Sequence, residues 1–589
     1  MNKKLLNRKN PGALKQFNLS VKLFISSMLF SGLMVVFGAV LFSCQNTSKS
    51  TLLKIGLPEE PKSLNIWLAS DANSKKILSQ IYQPLYTRDP STLEIIPWLA
   101  KEAPVFNEQE LSYTVKLRQA QWSDGSEFTS EDVVFTKKMV FDFKIPRYYS
   151  TWKVIKRIEA PDKHTVVFYL SQPSAIFISR VLTASIVSKK EWEQVAAKAM
   201  ETEKPLRFIQ DYLVEKPIGI GPFILFEYKK GAYLHMKKNP YFFGTGKQIA
   251  GFLLGPFADS LLFKIYGTSD VAILALKTGE IDFYWWDIQP GYLEDLKKQD
   301  NIQIFLNKKS ALYYMGFNVR KLPFNDKILR QAIATLIKKE FILTRILQNY
   351  GTPMHSIVPE GNHFWYNPNV EKFGYGQTPE EQIRAAYHLL KTAGYTWEIP
   401  PLDDEGNIVK GVGIRLPSGE LMEKFVILTP PADYDPKRAF TGTMIQEWLR
   451  DMGMPAFARP MSFNSLIDKV KGTHEFDAFI LGYGHLNLDP DYLRSFFNSE
   501  NDKPRGWNMS GYKNPDYDTL ANQQISIVDV EARKKMIWEM QKIIMQDVPY
   551  IPLYNPQIIE AVSTNRFSGW IEEIDGIGNI WSLCMVKPK

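Results

Sequence analysis

The chain has 589 residues, of which 45% are hydrophobic and 23% charged, an ordinary composition for a globular protein with several cores. Its formal net charge is +8, but six of its 71 basic residues and no acidic residue precede Cys44, so residues 44–589 carry only +2. Proteins that bind nucleic acid concentrate basic charge on one surface. The nearly neutral body therefore gives no reason to expect a nucleic-acid partner.

The first 43 residues have the pattern of a secretory signal peptide. A basic stretch leads into the apolar run 23–42, which ends in Leu41-Phe42-Ser43-Cys44. This end resembles the bacterial lipobox, whose cysteine is lipidated and becomes the mature N-terminus, and residues 44–50 then form a polar tether. The apolar run is also long enough to be a retained membrane-spanning helix. Under either interpretation the rest of the chain lies outside the cytoplasm.

Three local structures follow one another between Leu111 and Thr136. Apolar and polar residues alternate from Leu111 to Arg118, and this period of two predicts a half-buried strand. Asp124-Gly125 then predicts a tight turn. Thr129 precedes Ser-Glu-Asp and an apolar run, so we expect its hydroxyl to cap a helix whose first turn favours acids.

This strand, its Trp-Ser-Asp-Gly turn and the capped helix resemble the signature of the bacterial extracellular solute-binding proteins of family 5. Those proteins are the dipeptide- and oligopeptide-binding receptors of ABC importers. Further segments follow in the family's order and together cover nearly the whole exported chain: 161–168, 171–174, 218–223, 239–242, 274–282, 323–333, 378–394, 489–491 and 511–520. The resemblance implies an α/β fold of the two-lobed periplasmic-binding-protein type, of the large class with an extra subdomain, whose lobes are joined by crossing strands.

The resemblance also implies boundaries within the exported chain, namely 51–312 for lobe I, 85–215 for its subdomain, 320–548 for lobe II and 550–589 for the return to lobe I. Residues 313–319 and 550–554 are predicted to be the crossing strands, the second broken by Pro552. Thr378 to Glu381 match a capping box with proline at the first helical position, which predicts a surface helix that ends at Gly394.

The family's ligand-contacting loop corresponds to residues 482–490. In its peptide receptors this loop begins glycine-tryptophan and carries an aspartate that pairs with the ligand's α-amine. Here Tyr483 stands at the tryptophan position and Leu486 at the aspartate position, and an apolar side chain cannot accept that hydrogen bond. The ligand-binding residues predicted are Tyr483, Gly484, His485, Leu486 and Asn487 of this loop and, as a second aromatic suited to a peptide or sugar ring, Trp507. Either the ligand lacks a free α-amine, or a neighbour takes the aspartate's place; the candidates are Asp433, Asp435 and Asp477.

Several short patterns suggest catalytic or metal chemistry, and their context argues against each. The segments 150–153, 277–279 and 462–464 match the three elements of penicillin-recognising serine enzymes. However, the last two come in reversed order, and Lys277 ends a helical pattern where an enzyme would need a strand. The seven histidines include no pair at helical ligand spacing and H-E-x-x-H is absent, so we expect no metal site.

Asp489 and Asp491 flank Pro490, a spacing that suggests paired carboxylates. The better interpretation is structural, because an acid before proline can cap a helix over residues 492–497, and the family uses it in that way. Cys584 is the single cysteine after Cys44 and lies between two apolar residues, so we expect it to pack in the core.

The sequence therefore predicts a receptor without enzymatic activity or cofactor, anchored to a membrane by lipidated Cys44. It would capture peptides between its lobes and deliver them to the permease and ATPase subunits of an ABC importer. Two alternatives stay open: the same fold binding an oligosaccharide or a metal chelate, and a peptide sensor or chaperone that feeds no permease.

Overall fold

The computed structural model describes residues 51–589, and its largest sheet has seven strands. The predicted signal peptide, the tether 44–50 and Cys44 lie outside the described residues. In spatial order the strands are Ile302–Asn307, Ile558–Ser563, Phe283–Tyr284, Leu52–Leu57, Ser260–Ile265, Tyr233–Lys238 and Phe223–Lys229. The Leu52–Leu57 strand is parallel to both of its neighbours and the other pairings are antiparallel, so the sheet is mixed.

A second sheet has six strands, in the spatial order Gly351–Pro353, Tyr550–Pro556, Leu312–Phe317, Ala478–Tyr483, Phe425–Thr429 and Ala456–Pro460. Alternate residues of its strands belong to different cores. Met315 and Phe317 pack into the cluster on one face, whereas Leu312 and Tyr314 pack into the cluster on the other. Both faces are therefore covered, which is why the strands read as nearly continuous apolar runs.

Two short connections join these sheets. Residues 308–311 link Asn307 to Leu312, and Gln557 alone separates Pro556 from Ile558. Because Asn307 pairs with Ile558 and the two outgoing strands also pair, the connections run side by side. The predicted crossing strands are thus confirmed as Leu312–Phe317 and Tyr550–Pro556.

The prediction that Pro552 breaks the second crossing strand was wrong. The strand continues from Tyr550 to Pro556, and Pro552 lies opposite Tyr314. The register of this pair shifts between Tyr313 and Tyr314. Such an irregularity lets a residue without an N–H sit inside a ladder, since one hydrogen bond of the regular pattern is given up there.

A third sheet has four strands, in the spatial order Val105–Asn107, Ser112–Lys116, Thr165–Leu170 and Ile155–Asp162. The strand predicted from Leu111 onward is confirmed within it. The predicted cap at Thr129 is confirmed too, because Asp132 Oδ2 accepts a hydrogen bond from Thr129 N at 2.9 Å in a capping box that opens helix Ser130–Asp142. Smaller two-stranded ladders pair Tyr86–Arg88 with Ile95–Pro97, Gln248–Ile249 with Phe252–Leu253, and Phe567–Ser568 with Lys587–Pro588.

Helices cover the sheets and fill the segments between strands. Before residue 312 the α-helices are Ala72–Ile81, Ser130–Asp142, Pro146–Trp152, Lys189–Met200, Pro205–Asp211, Ser269–Lys277 and Leu293–Leu296. After it they are Lys327–Leu336, Lys339–Phe341, Pro379–Thr392, Pro436–Asp451, Phe463–Ile467, Tyr492–Phe497, Pro515–Gln523, Val530–Asp547 and Ile580–Met585. The predicted capping box at Thr378 is present, since Glu381 N donates to Thr378 Oγ1 at 3.2 Å and Thr378 N donates to Glu381 Oε2 at 2.8 Å.

Cys584 lies in the last of these helices and is fully buried, as predicted for a core residue. Burial raises the pKa of its thiol above the usual range. Among the helices between residues 51 and 589, none combines the length and the apolar character needed to cross a bilayer.

Candidate functional site

The aromatic residues predicted to contact a ligand lie together in the structure. Tyr483 ends its strand and stacks between Tyr314 and Phe496, with ring centroids 5.8 Å and 4.8 Å away and interplanar angles of 9° and 13°. Trp507 was predicted separately, and its ring centroid lies 6.3 Å from that of Tyr483 and 6.2 Å from that of Phe496. Its ring is 46% exposed, and Lys471 Nζ lies 3.2 Å from its centroid. Tyr483 is thus fixed by stacking while Trp507 presents an open face.

Residues 484–487 form the loop after this strand. Gly484 is exposed, and a Cβ added to it would meet no atom within 4 Å. Leu486 is 4% exposed and packs in a core cluster, and its backbone is held by Ser310: Leu486 N donates to Ser310 O at 2.5 Å and Ser310 Oγ donates to Leu486 O at 2.9 Å. Asn487 is exposed and accepts from Asp489 N at 2.9 Å. The apolar side chain therefore turns inward while its polar neighbours face outward.

His485 makes an ionic contact with Asp575, a residue that sequence reasoning missed. His485 Nδ1 lies 3.0 Å from Asp575 Oδ2, and Asp575 Oδ1 accepts from Ser310 N at 2.9 Å. The hydrogen bond to Asp575 raises the pKa of His485 above its usual value, against the opposing effect of desolvation. One carboxylate thus connects the loop to the C-terminal segment and to the connection between the sheets.

Asp489 does not cap helix Tyr492–Phe497, so that prediction was wrong; the N-cap residue is Asp491. Asp489 instead forms a bidentate pair with Arg533, with Nη2 2.7 Å from Oδ1 and Nη1 2.8 Å from Oδ2. The two side chains are 1% and 3% exposed. Burial opposes ionisation of Asp489, but Arg533 outweighs it and holds the pKa of that carboxyl below its usual value. Ser179 Oγ also donates to Asp489 Oδ2, at 2.6 Å.

A polar cluster at the connections between the sheets was also not predicted. Lys309 Nζ lies 2.8 Å from Asp287 Oδ2, and Asp287 Oδ1 accepts from Ile559 N at 3.0 Å. Burial lowers the pKa of Lys309, but the Asp287 carboxylate more than compensates and raises it overall. Asn555 Nδ2 donates to Lys309 O at 2.7 Å, while its buried Oδ1 has no partner among the described residues. These groups fix the two connections to each other.

Lys76, which is half-buried, and Glu560, which is buried, are oppositely charged neighbours whose charges influence each other. Lys76 Nζ donates to Trp285 O at 2.5 Å and lies 4.8 Å from the centroid of Trp286. Glu560 is 1% exposed and accepts from Ile577 N at 2.6 Å. Burial lowers the pKa of Lys76 and raises that of Glu560, and each charge partly offsets the effect on the other. Trp285 is buried like Glu560, whereas Trp286 is 36% exposed.

The model of the bacterial extracellular solute-binding proteins, family 5, matches residues 94–505, more than two thirds of the chain. The chain belongs to this family. The oligopeptide-binding protein AppA of Bacillus subtilis is 27% identical to it over 87% of this chain and 88% of its own length. The di/tripeptide-binding protein 1 of Pseudomonas aeruginosa is 25% identical over 80% and 82%. Among solved structures, HbpA2 of Haemophilus parasuis matches 91% of this chain and all of its own, with 22% identity and a TM-score of 0.73.

The solute-binding protein thus has the two-lobed fold that the sequence predicts, and its family consists of binding proteins. The serine-enzyme patterns lie on three separate elements. Lys277 ends helix Ser269–Lys277 and pairs with Asp295 at 2.6 Å, while Ser462 caps helix Phe463–Ile467 and its hydroxyl lies 2.8 Å from that of Ser465. Within residues 51–589 no cluster of three or more His, Cys, Asp or Glu side chains is arranged to hold a metal ion.

The three aspartates proposed to replace the missing carboxylate at Leu486 differ in their surroundings. Asp477 is at the far end of strand Ala478–Tyr483, ~20 Å from Tyr483 at the usual rise per residue. Its oxygens are held by Lys321 Nζ at 2.6 Å and Val426 N at 2.8 Å. Asp435 caps helix Pro436–Asp451 and binds Arg438 Nε at 2.7 Å. Asp433 is exposed. Asp575, in contact with His485, is the carboxylate that the structure brings to the loop itself.

Proposed function

We propose that this family 5 protein captures peptides between its two lobes and delivers them to the permease of an ABC importer. The names of its relatives support peptides as the ligand class, because AppA and the Pseudomonas protein are oligopeptide- and di/tripeptide-binding proteins. The two short connections support lobe movement, since hinges are a few residues at the ends of elements. We propose that lobe I comprises residues 51–311 and 557–589 and lobe II residues 312–556, because strand Tyr550–Pro556, expected in lobe I, pairs in the six-stranded sheet. The proposed subdomain stays at 85–215.

The ligand in this proposal contacts Tyr483, Gly484, His485, Asn487 and Trp507, with Leu486 at the wall. An exposed indole beside a loop of polar groups suits an extended chain whose backbone is hydrogen-bonded and whose side chains are read loosely. Because Leu486 is apolar and packed inward, it offers no acceptor to an α-amine. We therefore propose that the protein binds peptides without requiring a free α-amine, and that an ammonium at this wall would be costly to desolvate.

Mass spectrometry of the ligand carried through purification tests the peptide proposal. We expect a mixture of short peptides, whereas an oligosaccharide or a metal chelate would contradict it in favour of another ligand class on the same fold. Calorimetry with one such peptide and its N-acetylated form then tests the role of the α-amine. We expect similar affinities. A loss of tenfold or more on acetylation, about 1.4 kcal/mol, would instead point to a carboxylate such as Asp575 or Asp433.

We also propose that lipidated Cys44 anchors the protein outside the cytoplasm, on the basis of the lipobox-like end of the signal. Cys44→Ala should abolish labelling with radioactive fatty acid and prevent cleavage between Ser43 and Cys44. Labelling that persisted in this variant would disprove the anchor. The transport step has a separate test, because loss of a neighbouring permease gene should abolish uptake of the identified peptide without affecting its binding.

A further inference from the structure

A cavity on the second sheet's edge lies where strand Gly351–Pro353 leads into the segment that follows it. Its volume is about 250 Å³. The lining residues are Thr352, Pro353, Met354, His355, Ser356, Val358, Glu360, Tyr366, Lys372 and Tyr375. Pockets for drug-sized ligands measure roughly 300–1,000 Å³. This cavity is therefore suited to a small molecule or a single functional group.

His355 contributes two unpartnered polar atoms to the cavity. Both ring nitrogens are buried and have no hydrogen-bond partner among residues 51–589. The ring packs edge-on against Tyr375, with centroids 4.9 Å apart and an interplanar angle of 76°. Burial and the charges of Lys339 and Lys372 lower the pKa of His355 to about 3. The neutral imidazole carries one N–H donor and one acceptor, and buried groups of this kind normally have partners.

The two lysines lack acidic partners in the described part of the chain. Lys339 is 8% exposed, and its Nζ donates to the Met354 carbonyl at 2.7 Å but forms no ion pair with a described residue. Lys372 lies at the rim, 5.2 Å from the Tyr375 centroid, and likewise forms none within residues 51–589. Of the lining residues only Glu360 is acidic, and it is exposed and pairs with Lys308 at 3.3 Å. Lys372 lines the cavity, and Lys339 lies behind its wall, bonded to the lining residue Met354, so positive charge exceeds negative charge around the cavity.

A buried ammonium without a counter-charge is unfavourable, so it either loses its proton or acquires an anion. The burial of Lys339 lowers its pKa to about 7, so near neutral pH a nearby anion would decide whether the amine keeps its proton. Ser356 cannot supply this charge, and its hydroxyl already donates to Gln541 Oε1 at 2.9 Å. We propose that the cavity binds a small oxyanion, a carboxylate or a phosphate group, that accepts a hydrogen bond from His355 and compensates Lys339 and Lys372.

Imidazole NMR on the ¹⁵N-labelled protein tests this site, with His355→Gln assigning the His355 signals. Inorganic phosphate and sodium acetate are titrated separately at neutral pH, with chloride holding the ionic strength constant. We expect a saturable shift of the His355 signals with at least one anion. Lys339→Met should weaken that affinity by about tenfold or more, as for a lost hydrogen bond to a charged group.

The control is Lys338→Met, which removes the same charge one residue away, where the ammonium lies 5.8 Å from the Trp448 ring. It should leave the affinity unchanged. Lys372→Met provides the same comparison at the rim if Lys339→Met fails to fold. A response to phosphate alone supports a phosphate site, and a response to acetate supports a carboxylate site. The proposal would be overturned if neither anion moved the His355 signals. It would also be overturned if Lys339→Met and Lys372→Met both bound the anion as tightly as the natural protein does.

Discussion

Two acid–base contacts four residues apart on one loop have opposite characters. The Asp489–Arg533 pair is bidentate and almost completely buried, and Asp489 also accepts from Ser179. The His485–Asp575 contact is single, and the His485 side chain is 72% exposed. One end of the loop is therefore fixed to the fold, while the other is held by a contact that water or a ligand can replace. In the proposed function, the fixed end sets the position of the exchangeable end, which would contact the ligand.

The largest expected effect comes from breaking the fixed end. Arg533→Met leaves Asp489 buried without its counter-charge, which should lower the free energy of unfolding by about 3–5 kcal/mol. Urea unfolding followed by circular dichroism measures this change. Lys535→Met, which removes an exposed positive charge on the same helix, should alter stability by no more than about 0.5 kcal/mol.

A double variant sharpens the result. In Asp489→Leu combined with Arg533→Met no buried charge is left unpaired, so it should be more stable than Arg533→Met alone. If the single and double variants were equally unstable, the loss would come from packing around Arg533, whose guanidinium lies 5.0 Å from the Trp365 ring.

Ligand binding should act on the exchangeable end and on the two connections. A peptide at 100 times its dissociation constant should stabilise the protein by roughly 2.7 kcal/mol, because it binds the folded state alone. Small-angle scattering should show a smaller radius of gyration with this peptide than without it. An unchanged radius with a confirmed tight ligand would show that the lobes do not close.

Trp507→Ala should reduce peptide affinity by a smaller amount, because the substitution removes one exposed ring beside Tyr483. Aromatic contacts contribute about 0.5–1.5 kcal/mol beyond the buried area, so we expect a loss of about 2- to 10-fold or somewhat more. Calorimetry measures it. Phe226→Ala, which removes a 56% exposed ring from the edge of the seven-stranded sheet, is the matched control. Equal losses in both variants would remove Trp507 from the site.

The smallest effect concerns His485 and pH. Its pKa is raised in the folded protein, so the contact with Asp575 stabilises the fold fully below the usual value of 6.5 and loses this contribution as pH rises through the raised pKa. Because the side chain is exposed, the contribution should not exceed about 1 kcal/mol. His485→Gln should therefore be less stable than the natural protein at pH 5.5 and equally stable at alkaline pH. If His485→Gln lowered the stability at pH 5.5 equally in a protein that also carries Asp575→Asn, an acid other than Asp575 would provide the contact.

The features predicted correctly from the sequence are those that depend on near neighbours. The helix caps at Thr129 and Thr378 need only residues within the next few positions, and the strand at Ser112–Lys116 needs only its own alternation. Tyr483 was predicted from the family resemblance and Trp507 from its aromatic character, and the structure brings these two rings together.

The features missed depend on partners distant in the chain. The sequence around Asp489, an acid directly before Pro490, is typical of a helix cap. Its actual partner, Arg533, is 44 residues away and leaves no sign in that local pattern. Asp575 has no local signal at all, and its connection to Ser310 spans 265 residues. The error at Pro552 has a similar origin, because the irregularity that accommodates it is set by pairing with Tyr313 and Tyr314, which are distant in the chain.

The buried thiol of Cys584 has a practical consequence. Maleimides react with the thiolate form of cysteine. Because Cys584 is 0% exposed and the pKa of its thiol is raised, almost no thiolate of this residue is accessible to the reagent. Once Cys44 is replaced, cysteines introduced at exposed positions such as Lys535 and Leu253 can carry a donor and an acceptor dye without a background label on the native protein. Single-molecule fluorescence would then report the distance between the two lobes directly, one molecule at a time.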